Sequence, residues 1–422
     1  MSTTILFIGL LVFFSHFLSL QFRKTNIPDV LVLMMIGIII GPLSGIVTPA
    51  DFGKVGPLIA TIALVVILFE GGTSLNLNVL GKSLGTTGVL TLSCFILSAC
   101  IVALVGHFAL GLIWLPSAIL GVTLGGSTSA VVIPMVTALK LSEKPTTVLV
   151  LESALTDVLC IVGVFALLQV YSQGGVEAGK LAGSVMAALV FAAVIGVAGG
   201  IGWLLVLGKV RDFPNTISST LAYVFIVYGL TEMLGYSGAI SSLAMGITLT
   251  NFEKFGLHRL SRIDENIVPL NDMDLTFYRE AVFLLKTYFF VYLGISIQFS
   301  DPLLAIAAAV LVLLMYTIRL VLIRFIFHGD NYTLRDAAVT SMMAPKGLAA
   351  AVLAAMPLQY GVLGGDIIRD TTYMVVLISI MLSAILVMIY PIPGVRNFYS
   401  HALGKVPGDT MKIMAHPPGK QE

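Results

Sequence analysis

Apolar stretches of about 20 residues, the length a helix needs to cross the hydrocarbon of a bilayer, recur along the whole chain with only short glycine, proline or charged punctuation between them. Thirteen can be delimited, at residues 3–20, 28–47, 56–73, 86–108, 112–139, 146–171, 181–207, 216–234, 238–251, 278–298, 303–327, 335–357 and 370–392. Backbone amides in hydrocarbon must find partners within their own segment, so each span is expected to be a helix and the fold all-α. With 58% hydrophobic and 11% charged residues, the composition is that of an integral membrane protein. The net charge of +1 says nothing about a nucleic-acid partner, but the basic residues form no extended run of the kind such partners require, so none is expected. The three cysteines lie inside apolar segments without metal-ligand spacing, so neither a disulfide framework nor a metal site is implied and no cofactor is expected. The first span lacks a cleavage-site pattern and runs through an Arg23-Lys24 turn into a second apolar span, which marks it as a retained helix.

The basic residues set the expected orientation. With the N-terminus outside, 17 of the 23 Lys and Arg fall on the cytoplasmic side and only Lys54, Lys180 and Arg369 fall outside. This asymmetry predicts a multi-pass protein of the cell (plasma or inner) membrane with an odd number of spans and a cytoplasmic C-terminus. Residues 393–422 form a short tail, too small for a soluble domain of its own.

Six charges stand in clear interiors of the predicted spans: Lys286, Arg319 and Lys346, with Glu70, Glu152 and Asp157; Glu232 and Glu280 lie nearer to helix ends. A charge at bilayer depth costs about 2.5–3.5 kcal/mol on the most lenient scale, so six imply a shared polar interior with mutual pairing. Two of them lie close together in "VLVLESALTDVLCIV", residues 148–162. There, Glu152 stacks over Thr156 and Ser153 over Asp157 at i, i+4, bringing oxygen ligands onto adjoining stripes. Glu152 reads best as one half of a structural ion pair. Asp157, whose hydroxyl neighbours Ser153 and Thr156 can coordinate a hard cation but cannot neutralise a carboxylate, reads best as a working site.

Two spans carry helix-weakening sequences. "LGGSTSAVVIPMV", residues 124–136, has two glycines, three hydroxyls and Pro134; "SMMAPKGLAAAVLAAM", residues 341–356, has Pro345, Lys346 and Gly347. Interruptions at corresponding places in two halves point to inverted repeats, with discontinuous helices around a site near the midplane. The competing reading of either stretch alone is a close-packing surface of small residues.

"NIPDVLVLMMIGIIIGP", "LFEGGTSLNL", "GGSTSAVVIP", "ESALTD", "SGAISSLAMGITLTN", "FFVYLGISIQ" and "APKGLAAAVLA" stand in the order in which similar motifs occur in monovalent cation/proton antiporters, and the resemblance to the thirteen-helix sodium/proton antiporters covers residues 20–357. It implies one transmembrane domain over residues 1–392. Core ion-site helices would occupy 56–171 and 278–357, and dimerisation helices 1–47 and 181–251, with the partner a second copy. By the same resemblance Asp157 matches the aspartate that alternately binds a proton and a cation. Ser153 matches a ligand one turn before it, Glu70 a carboxylate of the third span, Thr128 a ligand at the crossing of the broken helix, and Glu152 with Arg319 a structural ion pair. The chain departs from the commoner sodium-type pattern at Thr156, where asparagine or aspartate is frequent, at Ser129, where many relatives have aspartate, and at Lys346, where arginine is usual. "GGSTSAVV" is closer to potassium-carrying relatives.

The resemblance implies secondary exchange of a monovalent cation (Na+, Li+ or K+) for H+ by alternating access. Proton and cation compete for one carboxylate, each neutralises it, and one titrating acid in the Thr156-Asp157 pair gives one proton per cation with no net charge moved. Lys286 either titrates as a second group or extends its amine toward the cytoplasmic surface. A channel would need carbonyl or charged rings from symmetric subunits. A membrane hydrolase would need a base beside Ser127 or Ser153, and His16 and His107 lie on other helices, so no enzyme is expected. The remaining alternative is a cation-coupled solute symporter of related fold.

Overall fold

The computed structural model describes residues 6, 9–17, 28–52, 55–74, 77, 85–139, 141, 143–172, 178–210, 218–254, 270–299, 301–327 and 333–404. Among them the secondary structure is helical, without a strand. Of the residues that set the expected orientation, Arg23, Lys24, Lys54, Lys82, Lys140, Arg211, Arg259, Arg262, Lys405, Lys412 and Lys420 lie outside the described set.

In chain order the helices are α1 (9–17), α2 (Asp29–Ile38, continuing through a wider turn at Ile39–Leu43), α3 (Val55–Ser74), α4 (Thr86–Phe108), α5 (Trp114–Gly125), α6 (Ser129–Leu139), α7 (Glu143–Ser172), α8 (Ala178–Val210), α9 (Ser219–Met233), α10 (Gly238–Thr250), α11 (Asp272–Ser296), α12 (Pro302–Ile326), α13 (Leu334–Met342), α14 (Leu348–Gln359), α15 (Gly365–Ile389) and α16 (Pro393–Leu403). Five stretches, Thr87–Phe108, Pro145–Ser172, Ala187–Leu207, Pro302–Ile326 and Gly365–Ile389, are long and apolar enough to span a bilayer unaided. Several others are shorter apolar helices, and their exposed Leu, Ile and Phe side chains face outward as a bilayer requires.

Local signals explain where the helices start. Asn271 and Asp274 close a capping box at α11, six residues before the expected start of that span, and Thr333 and Asp336 do the same at α13. Asp301 caps α12 with Pro302 behind it in the first turn, where a missing N–H costs nothing. The expected spans 112–139 and 335–357 are each two helices, interrupted at 126–128 and 343–347.

The helices pack in two groups. α3 lies chiefly on α10 and α11, α10 on α8 and α9, and α11 on α2; α4, α5, α7, α12, α14 and α15 pack on one another, with α13 and α16 against α12. Glycine permits the closest crossings of the first group. The backbones of α2 and α11 meet at Gly37 and Gly294, and those of α3 and α10 at Gly72 and Gly246, where a Cβ would collide with the facing chain. The sequence-based grouping joined 56–73 and 278–298 to the ion-site helices and left 370–392 aside. In the packing, α3 and α11 sit with α2 and α8–α10, whereas α15 lies among α5, α12 and α14. Part of the expected tail is also structured: α16 buries Tyr399 and Leu403, and Arg324 donates to the Ala402 carbonyl at 2.9 Å.

Candidate functional site

The two interruptions touch. The Thr128 N–H donates to the Pro345 carbonyl at 3.0 Å, and the Lys346 ammonium donates to the Gly126 carbonyl at 2.7 Å. Gly126 caps the C-terminus of α5, where unpaired carbonyls carry partial negative charge, so Lys346 supplies both a hydrogen-bond donor and a matching charge. Gly347 lies directly against the Thr128 side chain, which leaves no room for a Cβ. Ser379 of α15 accepts from the Lys346 N–H at 2.9 Å and fixes this crossing to the rest of its group.

Glu152 and Arg319 form a two-pronged ion pair between α7 and α12, with one nitrogen–oxygen distance of 2.8 Å and a shorter second contact. Glu152 is 1% exposed and Arg319 3%. The remaining guanidinium Nε donates to the Thr340 carbonyl at 2.8 Å, so α13 is held by the same group.

One turn along α7, Asp157 lines a cavity of about 150 Å³ on the seam between the two packing groups. Glu70 of α3, Thr128 of the first break, Leu243 of α10 and Leu348 of α14 are among its other walls. Asp157 and Glu70 are half-buried. The structure thus brings Asp157, Glu70 and Thr128 around one space. Ser153 and Thr156 face elsewhere: Ser153 is fully buried and its hydroxyl donates to the Val150 carbonyl at 3.0 Å. The Thr156 hydroxyl accepts from the Ser127 N–H at 3.1 Å and lies within donating distance of the Ser127 and Ser153 carbonyls, at 3.3 and 3.2 Å. Consecutive helical residues point about 100° apart, so Thr156 serves the break while Asp157 serves the cavity. Ser129 opens α6, and its side chain lies outside the described set.

Lys286 forms an ion pair with Asp29 of α2 at 3.0 Å, with both side chains largely buried. Asp29 was not among the charges picked out from the sequence. It directly follows Pro28 at the start of a span and reads there as a boundary residue. The signal that points to it is Lys286 itself, because an amine at that depth needs an acid nearby.

Two broken helices that cross beside a carboxylate-lined cavity, inside a polytopic helical bundle, are the architecture of the inverted-repeat class of membrane proteins. The description "sodium/hydrogen exchanger, transmembrane" matches residues 9–389, and the chain belongs to that family. It is 25% identical over 303 residues to the Na+/H+ antiporter NhaS2 of Synechocystis sp., an alignment covering 71% of this chain and 53% of that protein. It is also 25% identical over 393 residues to the K+/H+ antiporter NhaP of Alkalimonas amylolytica, covering 90% and 64%. The chain therefore spans between half and two-thirds of the length of these relatives. Among solved structures, the sodium proton antiporter MjNhaP1 of Methanocaldococcus jannaschii at pH 8 has the same fold, with a TM-score of 0.69 at 20% identity over 91% of this chain and 99% of that one.

Proposed function

We propose that the chain exchanges a monovalent cation (Na+, Li+ or K+) for H+ across the membrane, one for one, with Asp157 as the carboxylate that both ions share. The observation that carries this reading is the placement of Asp157, with Glu70 and Thr128, in a cavity between two helix groups; in this reading the two groups shift against each other. An ionised carboxylate on that seam resists passing through apolar surroundings, whereas one neutralised by a proton or by a cation does not. Each loaded form can cross between the two openings and the empty form cannot, which ties the two fluxes together. Thr156 contributes by holding the Ser127 backbone, and so the adjacent Thr128, in place. Glu152 with Arg319, and Lys346, hold the broken helices in place, and Lys286 is paired with Asp29.

We assign the moving part to α4–α7 and α12–α15, and the framework that contacts a second copy in a homodimer to α2, α3 and α8–α11. The N-terminus faces outside. Family membership does not favour the symporter reading. The test is proteoliposome flux with Na+, Li+ and K+ across a pH series. Cation addition alone should move protons in the opposite direction, and a requirement for an organic solute would overturn the proposal.

A further inference from the structure

A second cavity, of about 370 Å³, lies farther along α7, near its C-terminal end. Its walls include Gln169 and Ser172 of α7, Glu232 of α9, Tyr236 in the turn to α10, and Tyr360 just beyond α14. It too lies on the seam, between α7 and the α8–α10 side. The two cavities share one face of α7. Ala154, Asp157, Val158 and Ile161 line the first, and Phe165, Leu168, Gln169 and Ser172 line the second, at spacings of three and four residues that keep them on one stripe. What separates them is the turn from Ile161 to Phe165, about 6 Å of helix axis. Ile161 has 0% exposure, and Phe165 packs against the same core.

Glu232 is the one carboxylate among the residues lining this second cavity. One of its oxygens accepts from the Gly238 N–H at 2.7 Å, which caps the start of α10. That bond accounts for one oxygen of the carboxylate and leaves its charge at the cavity wall.

We propose that this cavity is the far-side entrance to the Asp157 site: Glu232 gathers the monovalent cation there, and the Ile161–Phe165 turn is the apolar plug that closes the route in this conformation. The inference rests on the reading of Asp157 as the exchange site. An apolar constriction stops ions by excluding their water. Because α7 belongs to one packing group and α8–α10 to the other, the relative shift that carries Asp157 past its barrier also parts the plug from its opposite wall. A single carboxylate among tyrosine and amide groups concentrates cations locally without a full set of ligands to hold them.

The direct test is Glu232→Gln, because the glutamine oxygen still accepts the Gly238 N–H and preserves the α10 cap while the charge is lost. In proteoliposomes of uniform orientation, the apparent KM for Na+ presented at the Glu232 face should rise about fivefold. The KM at the opposite face and the maximal rate should not change. An equal change at both faces, or none, overturns the entrance. Absence of exchange by the wild-type chain overturns the antiport reading and this inference with it. A second measurement uses Phe165→Cys in a Cys100→Ser background, since Cys94 and Cys160 are buried. A membrane-impermeant thiol reagent should modify this cysteine from the Glu232 face, faster during turnover than without cation, and should block exchange. Modification only from the other face, or at a rate indifferent to turnover, refutes the plug.

Discussion

Replacing Glu152 with glutamine separates a structural ion pair from an ion-binding carboxylate. The side chains of Arg319 and Glu152 are 4% and 2% exposed, so loss of the carboxylate leaves a guanidinium charge with no water to take its place. Breaking a buried pair by removing one partner costs about 3–5 kcal/mol. The amide oxygen retains one acceptor and the Thr340 carbonyl retains its bond to Nε, which places Glu152→Gln toward the lower end of that range. The assay is thermal unfolding of the purified variant in detergent, with exchange by the surviving folded protein measured in proteoliposomes. The melting temperature should fall, and the cation and pH dependence of exchange should stay as in the wild type. A double variant, Glu152→Leu with Arg319→Met, should recover much of the lost stability because no charge is left unpaired. An unchanged melting profile with altered cation dependence would refute the reasoning and move Glu152 into the ion-binding set.

Two other expectations follow from the crossing and from charge. Gly347→Ala places a methyl group against Thr128 at the crossing of the broken helices; overpacking of this kind costs about 1–3 kcal/mol, so thermal stability and exchange should fall together, and a variant as stable and active as the wild type would contradict the packing. If one titrating carboxylate carries the cycle, exchange in vesicles clamped with potassium and valinomycin, with Na+ as the test ion, should be the same at about 0 and 100 mV, although one uncompensated charge over that range would contribute about 2.3 kcal/mol. A voltage-dependent rate would show that a further group titrates, with Glu70 and Lys286 the first to substitute.

Much of the site could be read from the sequence because membrane depth makes polar residues conspicuous. Gly125, Gly126 and the hydroxyls after them marked one break, and Pro345 to Gly347 marked the other; both fall where the helices part. The bond between Thr128 and Pro345 joins residues far apart in the chain, and no local pattern encodes it. The pairing of Glu152 with Arg319 came from family resemblance, and from the cost of leaving either charge alone. Thr156 was harder to place. Stacking at i, i+4 identifies stripes on a helix but not what each stripe faces, and the break of α5 and α6 lies on one side of α7 with the cavity on the next. The packing of α3 on α10 has no local signal for a similar reason: their close contact depends on Gly72 meeting Gly246, and small residues are common throughout such a chain.

The account stands most directly on Asp157. Wild-type chain and Asp157→Asn, reconstituted at equal density after matching thermal profiles confirm that both are folded, are loaded with a luminal pH dye and given Na+ or K+ outside. The wild type should change luminal pH on cation addition alone, and Asp157→Asn, whose amide keeps the side-chain volume but cannot exchange a proton, should give no change. A pH response from Asp157→Asn at the wild-type rate would contradict the claim that cation and proton share this carboxylate.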